Sequence, residues 1–229
     1  IPLESDRLRR YTDDYEEMAQ ELAAEIGSFI PEGDILVAGL GNNDITPDAL
    51  GPQAAAKVLA TRHLRDELDN DEEQFLTSLR RVSSFAGGVL GQTGIESAEM
   101  IRAICRELKP AAVIAVDALA CSDVSRLGTT IQISDSGISP GSGVANTRRE
   151  LSQRVLGVPV IAVGVPTVVD MPTIVRSITE AEIGEELPNM MVTPRDIDRL
   201  TERASQLIAF GINLALQPTM SFEDVRGLF

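Results

Sequence analysis

"DILVAGLGNNDITPDALGP", residues 34–52, is the stretch on which the fold turns. After Asp34 it runs apolar to a glycine-bearing turn, the pattern of a short strand covered on both faces, as parallel sheets require. Such a strand needs neighbours of its own kind, and "AAVIAVDAL" (111–119) and "VPVIAVGVP" (158–166) supply them. Helical patterns fall between, over 48–64 and 96–108, so strand and helix alternate. The chain therefore reads as an α/β fold with a wound, mostly parallel sheet flanked by helices. "RVSSFAGGVLG" (81–91) and "TTIQISDSG" (129–137) predict further strands.

One domain is expected over 1–229, because a chain that is 43% hydrophobic buries a sizeable core at this length. Tyr15, Met18, Leu22 and Ile26 recur at helical spacing and predict a lead-in helix over 13–29, capped by Thr12 or Asp13. A last long helix is expected over 194–216, with Thr193 as cap and Pro194 at its first position. "TEAEIGEELPNM" (179–190) is the candidate flexible excursion. Twenty Lys and Arg against 35 Asp and Glu leave a net charge of −15, which argues against nucleic acid or an anionic membrane as a direct partner. No run approaches ~18 uninterrupted apolar residues and "IPLESDRLRR" (1–10) lacks the apolar core of a secretory signal, so a cytoplasmic protein is expected. Cys105 and Cys121 are too few for a four-ligand zinc site and read as reduced, buried thiols.

The glycine loop does not suit a nucleotide. Gly39 and Gly41 begin a G-x-G-x-x-G pattern, but Asp44 stands where the third glycine belongs and would turn like charge toward a pyrophosphate. Asp48, just after Pro47, has two readings: an acid that caps or begins a helix, or a carboxylate held for chemistry. Asp117 closes "AVIAVD", and open α/β sheets bind ligands beyond the carboxyl ends of their strands. Two carboxylates in that layer can share a proton or a metal ion and so activate water. His63 reads as a residue at the C-terminal end of the helix that starts near Asp48, where the dipole favours it. The glycines around Ser142 do not form the G-x-S-x-G elbow of serine hydrolases.

Taken together, "GLGNNDITPDALGP" (39–52), "TRHL" (61–64), "GQTGIESAEMI" (91–101), "AVDALA" (115–120), "TTIQISDSGISPGSGVANTRRELS" (129–152), "GVPVIAVGVPTVVD" (157–170) and "NMMVTPRDID" (189–198) resemble the germination proteases of spore-forming bacteria. The resemblance implies a cytoplasmic endopeptidase of the spore core that degrades the small acid-soluble proteins coating spore DNA, made as a zymogen that loses an N-terminal segment. It implies a fold similar to the hydrogenase maturation endopeptidases, which bind a metal at the corresponding acids. Carried onto this chain, it makes Asp48 and Asp117 the essential carboxylates, and the loop residues Gly39, Gly41, Asn42, Ser139, Gly141, Ser142 and Gly143 candidates to line the substrate. A homo-oligomer is expected, and no cofactor beyond a divalent metal.

The chain departs from that pattern in places. Ser139 stands where the family usually has histidine, which rules out a histidine role at that loop, and Asp44 stands in place of asparagine. "YTDDYEE" (11–17) is a faint echo of the family's processing sequence. Three functions follow: a peptidase whose aspartate pair activates water, a metal-assisted peptidase in which the same acids hold Mg²⁺, Mn²⁺ or Ca²⁺, and a non-catalytic relative that binds peptide or assembles.

Overall fold

The computed structural model describes residues 14–66, 78–139, 150–179 and 188–229, together with the backbone of residues 2–4. Within these, seven strands form one sheet: β1 (Pro2–Glu4), β2 (Ile35–Gly39), β3 (Val82–Ala86), β4 (Ala112–Cys121), β5 (Thr130–Ser134), β6 (Val160–Asp170) and β7 (Met191–Val192). Their order is β1-β5-β6-β4-β2-β3, with β7 on the far end of β6. β2, β3, β4 and β6 run parallel, as the apolar runs predict. β1, β5 and β7 are antiparallel to their neighbours, so the parallel character is confined to the centre and one edge. Between β4 and β5 the chain reverses over residues 122–129, too few for the crossover that a parallel return needs.

Alternation along the strands sends side chains to two apolar layers. On one face Ile35, Val37, Ile114, Val116, Ile161 and Val163 pack with α1 (Tyr15–Phe29), α2 (Leu50–Ala55), α7 (Ile197–Leu216) and α8 (Phe222–Arg226). On the other, Leu36, Ala38, Val113, Ala115 and Val160 meet α4 (Ser97–Leu108) and α5 (Gln153–Leu156). The short α3 (Leu90–Thr93) and α6 (Met171–Ile178) complete the helices. Tyr15, Phe210 and Phe222 meet edge-on, closing the seam between α1, α7 and α8.

Three helix boundaries differ from those expected. α1 begins at Tyr15 behind Asp14, and Thr12 and Asp13 lie outside the described residues. α7 begins at Ile197 behind Asp196, and Pro194 sits one turn earlier, its carbonyl accepting the Ile197 N–H at 3.2 Å. The helix expected over 48–64 is broken: α2 stops at Ala55 and His63 lies exposed in a separate 3₁₀ turn, Arg62–Asp66. The cause is a partner far along the chain. Asn213 of α7 accepts the Leu59 N–H and donates to the Lys57 carbonyl, each at 2.8 Å, which satisfies those groups outside a helix. The chain then reaches β3, where the Thr61 N–H donates to the Val82 carbonyl at 3.0 Å. Of the excursion expected at 179–190, residues 180–187 lie outside the described set, and among the described residues no helix is long and apolar enough to cross a membrane.

The contact that positions the site is backbone on backbone. A Cβ on Gly39 would strike the Gly51 carbonyl, and one on Gly51 would strike the carbonyls of Leu40 and Val116. The start of α2 thus lies directly on the end of β2. Replacing Gly51 with alanine is expected to lower unfolding stability by about 1–3 kcal/mol, because neither wall is a side chain that can rotate away. Denaturant unfolding of Gly51→Ala beside the parent measures this, and an unchanged midpoint would contradict it.

Candidate active site

Gly39 ends β2 opposite Val116, but β4 and β6 continue, pairing from Asp117 opposite Gly164 to Cys121 opposite Val169. Asp117 is therefore not at the end of its own strand, as its sequence position suggests. It is the first β4 residue beyond the β2 ladder, which ends where Gly39 pairs with Val116. Its side chain is 3% exposed and accepts the Ala118 N–H at 2.9 Å. By alternation with Val113 and Ala115 it belongs to the α4 face.

After β2 the Leu40 N–H still donates to the Val116 carbonyl, at 2.8 Å. Gly41 then turns the chain at φ 112°, a conformation that favours glycine, and a Cβ there would run into Asp48. Residues 42–45 loop out, and Thr46–Asp48 form a 3₁₀ turn in which the Asp48 N–H donates to the Ile45 carbonyl at 2.8 Å. Asp48 does not cap α2. Ala49 occupies that position, and the half-buried Asp48 carboxylate reaches back to accept the Asn42 N–H at 2.7 Å. Gly51, three residues on, abuts the carbonyl of Val116, the residue before Asp117. Both aspartates thus lie at the same end of the sheet, on adjoining backbone.

Two side chains that the sequence reading passed over hold this arrangement. Gln92 of α3 donates its amide to Asn42 Oδ1 at 2.7 Å and to Asp44 Oδ2 at 3.1 Å, and the Asp44 N–H donates to the same Asn42 oxygen at 2.9 Å. Thr167 is the extra residue of a bulge: Leu119 faces Pro166, and Ala120 faces Val168. Bulges re-aim a side chain, and here the buried Thr167 hydroxyl donates to the Pro47 carbonyl at 2.8 Å, tying the Asp48 turn to β6. No local signal marks either role, since the partners lie some 50 and 120 residues away in sequence.

Of the remaining candidates, Ser139 is exposed near the Ile138–Leu151 bridge, while Gly141, Ser142 and Gly143 lie outside the described residues. Burial pushes the Cys105 thiol up to about 11 and raises Cys121 as well, which disfavours the thiolate at both. Two carboxylates with water in the other positions suit Mg²⁺ or Mn²⁺ better than zinc. Among the described residues no group of three His, Cys, Asp or Glu side chains converges on one point. Beside the loop, Gly41 and Asn43 form one wall of a groove of about 590 Å³, whose other walls are the Pro52–Lys57 segment and Ala86–Gly88. Burial lowers the Lys57 ammonium below the ordinary lysine range, against the opposing pull of Glu202.

Comparison with known proteins decides the class. A family profile described as Germination protease matches residues 1–183. The chain belongs to the germination protease family. It is 38% identical to the germination protease of Clostridium tetani, covering 99% of this chain and 80% of that protein. It is 40% identical to that of Caldanaerobacter subterraneus (96% and 78% covered) and 35% identical to that of Bacillus subtilis (98% and 79%). A solved [NiFe] hydrogenase maturation protease from Thermococcus kodakarensis aligns with 17% identity and a TM-score of 0.42, over 82% of this chain and 98% of that one. As a germination protease family member the chain is an endopeptidase, and Asp48 and Asp117 fall within the segment matched to the family.

If Thr167 ties the Asp48 turn to β6, Thr167→Val should cost about 1–3 kcal/mol, the penalty for leaving a partly buried carbonyl without its donor. Thr167→Ser, which keeps the hydroxyl, should recover most of it. Equal unfolding midpoints for the valine and serine variants would count against the tie.

Proposed function

We propose that Asp48 and Asp117 activate a water molecule for peptide-bond hydrolysis, and that the substrates are the small acid-soluble proteins of the spore. What supports the reading is the Gly51 contact with the Val116 carbonyl, which brings the backbone three residues after Asp48 against the residue before the buried Asp117. One carboxylate takes a proton from the water as its oxygen attacks the scissile carbonyl carbon. The other, carrying the pair's shared proton, delivers it to the leaving amine as the C–N bond breaks. Asn42 orients Asp48 through its backbone N–H, and Gln92 braces Asn42 in turn. Membership of the germination protease family supports the peptidase reading. On the same reading the protein works in the cytoplasm of the spore core as a homo-oligomer and arises from a zymogen.

Asparagine at either position keeps the volume and can still accept the hydrogen bond from Asn42 or Ala118, but it cannot take up a proton. Asp48→Asn and Asp117→Asn are therefore expected to cut cleavage of a small acid-soluble spore protein by about 10²-fold or more, with thermal unfolding nearly unchanged. Parent-like cleavage by either variant would remove that residue from the mechanism. With a proton-sharing pair, EDTA leaves the rate unchanged, and the pH profile reports two apparent pKa values that belong to the pair. Loss on chelation, restored by Mn²⁺ or Mg²⁺, would instead assign both acids to holding an ion that lowers the pKa of bound water.

A further inference from the structure

Among the described residues β3 lies at one edge of the sheet, and the ladder fixes which of its peptide groups face outward. The Ile35 N–H donates to the Arg81 carbonyl at 3.0 Å, and Ile35 lies opposite Val82, so Arg81, Ser83 and Phe85 are the residues bonded to β2. Val82, Ser84 and Ala86 turn their N–H and C=O groups away. Val82 is already paired there, its amide donating to Thr61 Oγ1 at 2.9 Å and its carbonyl accepting from Thr61. Beyond Val82 no described residue pairs with the outward groups of Ser84 or Ala86.

Proteins usually blunt an open edge with lysine, proline or a bulge, because its unpaired backbone is a template for another strand. Residues 83–88, "SSFAGG", carry none of these. The same edge runs into the groove: Ala86, Gly87 and Gly88 form one wall, and Gly41 and Asn43 of the Asp48 loop form another. Its size is in the range that accepts side chains of a bound ligand.

We infer that the outward edge of β3 at Ser84 and Ala86 binds the polypeptide substrate as an added, extended strand, which the adjoining groove leads to the Asp48 loop. Backbone pairing supplies affinity that is indifferent to side chains, and the groove, with the half-buried Lys57 as its cation, receives the alternate side chains that point into it. A second copy of the chain is the competing occupant. Continuity of the groove with the Asp48 loop favours substrate, because Gly41 and Asn43 in its wall flank Asn42, whose N–H is bonded to the Asp48 carboxylate. The inference rests on the peptidase reading and extends it to how substrate is held.

The test uses fluorescent peptides tiled across a small acid-soluble spore protein, with binding to Asp117→Asn followed by anisotropy and cleavage by the parent chain followed separately. Each amide of the best-bound peptide is N-methylated in turn. Strand addition predicts a two-residue alternation, in which every second N-methyl group weakens binding by about tenfold and those between have little effect. Ala86→Pro in the Asp117→Asn background removes the outward donor at a position where an edge strand tolerates proline, and should weaken binding of the unmodified peptide by a similar factor. Absence of alternation, unchanged binding by Ala86→Pro, or a shift of that variant from dimer to monomer with peptide affinity intact would each overturn the inference. The N-methyl series needs no change at the edge itself and so stands even if the proline variant folds poorly. A chain that binds with alternation but cuts nothing supports strand addition and refutes the peptidase reading, whereas cutting without alternation does the reverse.

Discussion

The close approach of Gly39 and Gly51 is the constraint on which the rest of the site depends. Backbone meets backbone there, with no side chain between the end of β2 and the start of α2. Any Cβ at either position would push the helix off the sheet, and the turn that carries Asp48 would move with it. Interiors are too closely packed to absorb such a shift locally, so these two positions set the depth at which the Asp48 turn sits. The positive φ of Gly41 is the second half of the same device, since it folds the chain back until Asp48 can accept the Asn42 amide.

Unequal strand lengths do the complementary work on the other carboxylate. β2 stops while β4 and β6 run on, so Asp117 pairs with β6 on one flank and lies past the β2 ladder on the other. A carboxylate that is almost wholly buried needs hydrogen bonds to offset lost hydration, and the Ala118 amide provides one. The bulge at Thr167 lies on the same overrun and bonds Pro47. The overrun thus holds Asp117 itself and anchors the turn before Asp48, which couples the two halves of the site through β6.

At the other side of the loop the edge strand β3 is closed only where Thr61 crosses Val82. That crossing exists because Asn213 on the last long helix ends α2 early and redirects the chain toward the edge. A polar side chain buried in α7 therefore shapes both the groove beside the Asp48 loop and the length of edge left open. Sequence periodicity carried the helix on through this region, since a local pattern cannot register a hydrogen bond made across some 154 residues.

The apolar runs around Val37, Val116 and Val163 determined by themselves that the centre is a parallel sheet between helices, because strands buried on both faces must be apolar throughout. The turn glycines at 39 and 41 were likewise legible, as were the family motifs, since each is a local feature of residue type and spacing, whereas the close approach of Gly51 was not. The antiparallel strands, the early end of α2 and the bracing by Gln92 and Thr167 were decided only in three dimensions. Each depends on partners distant in the chain and on strands of unequal length, and a hydrogen bond between remote residues leaves no periodicity behind it in the sequence.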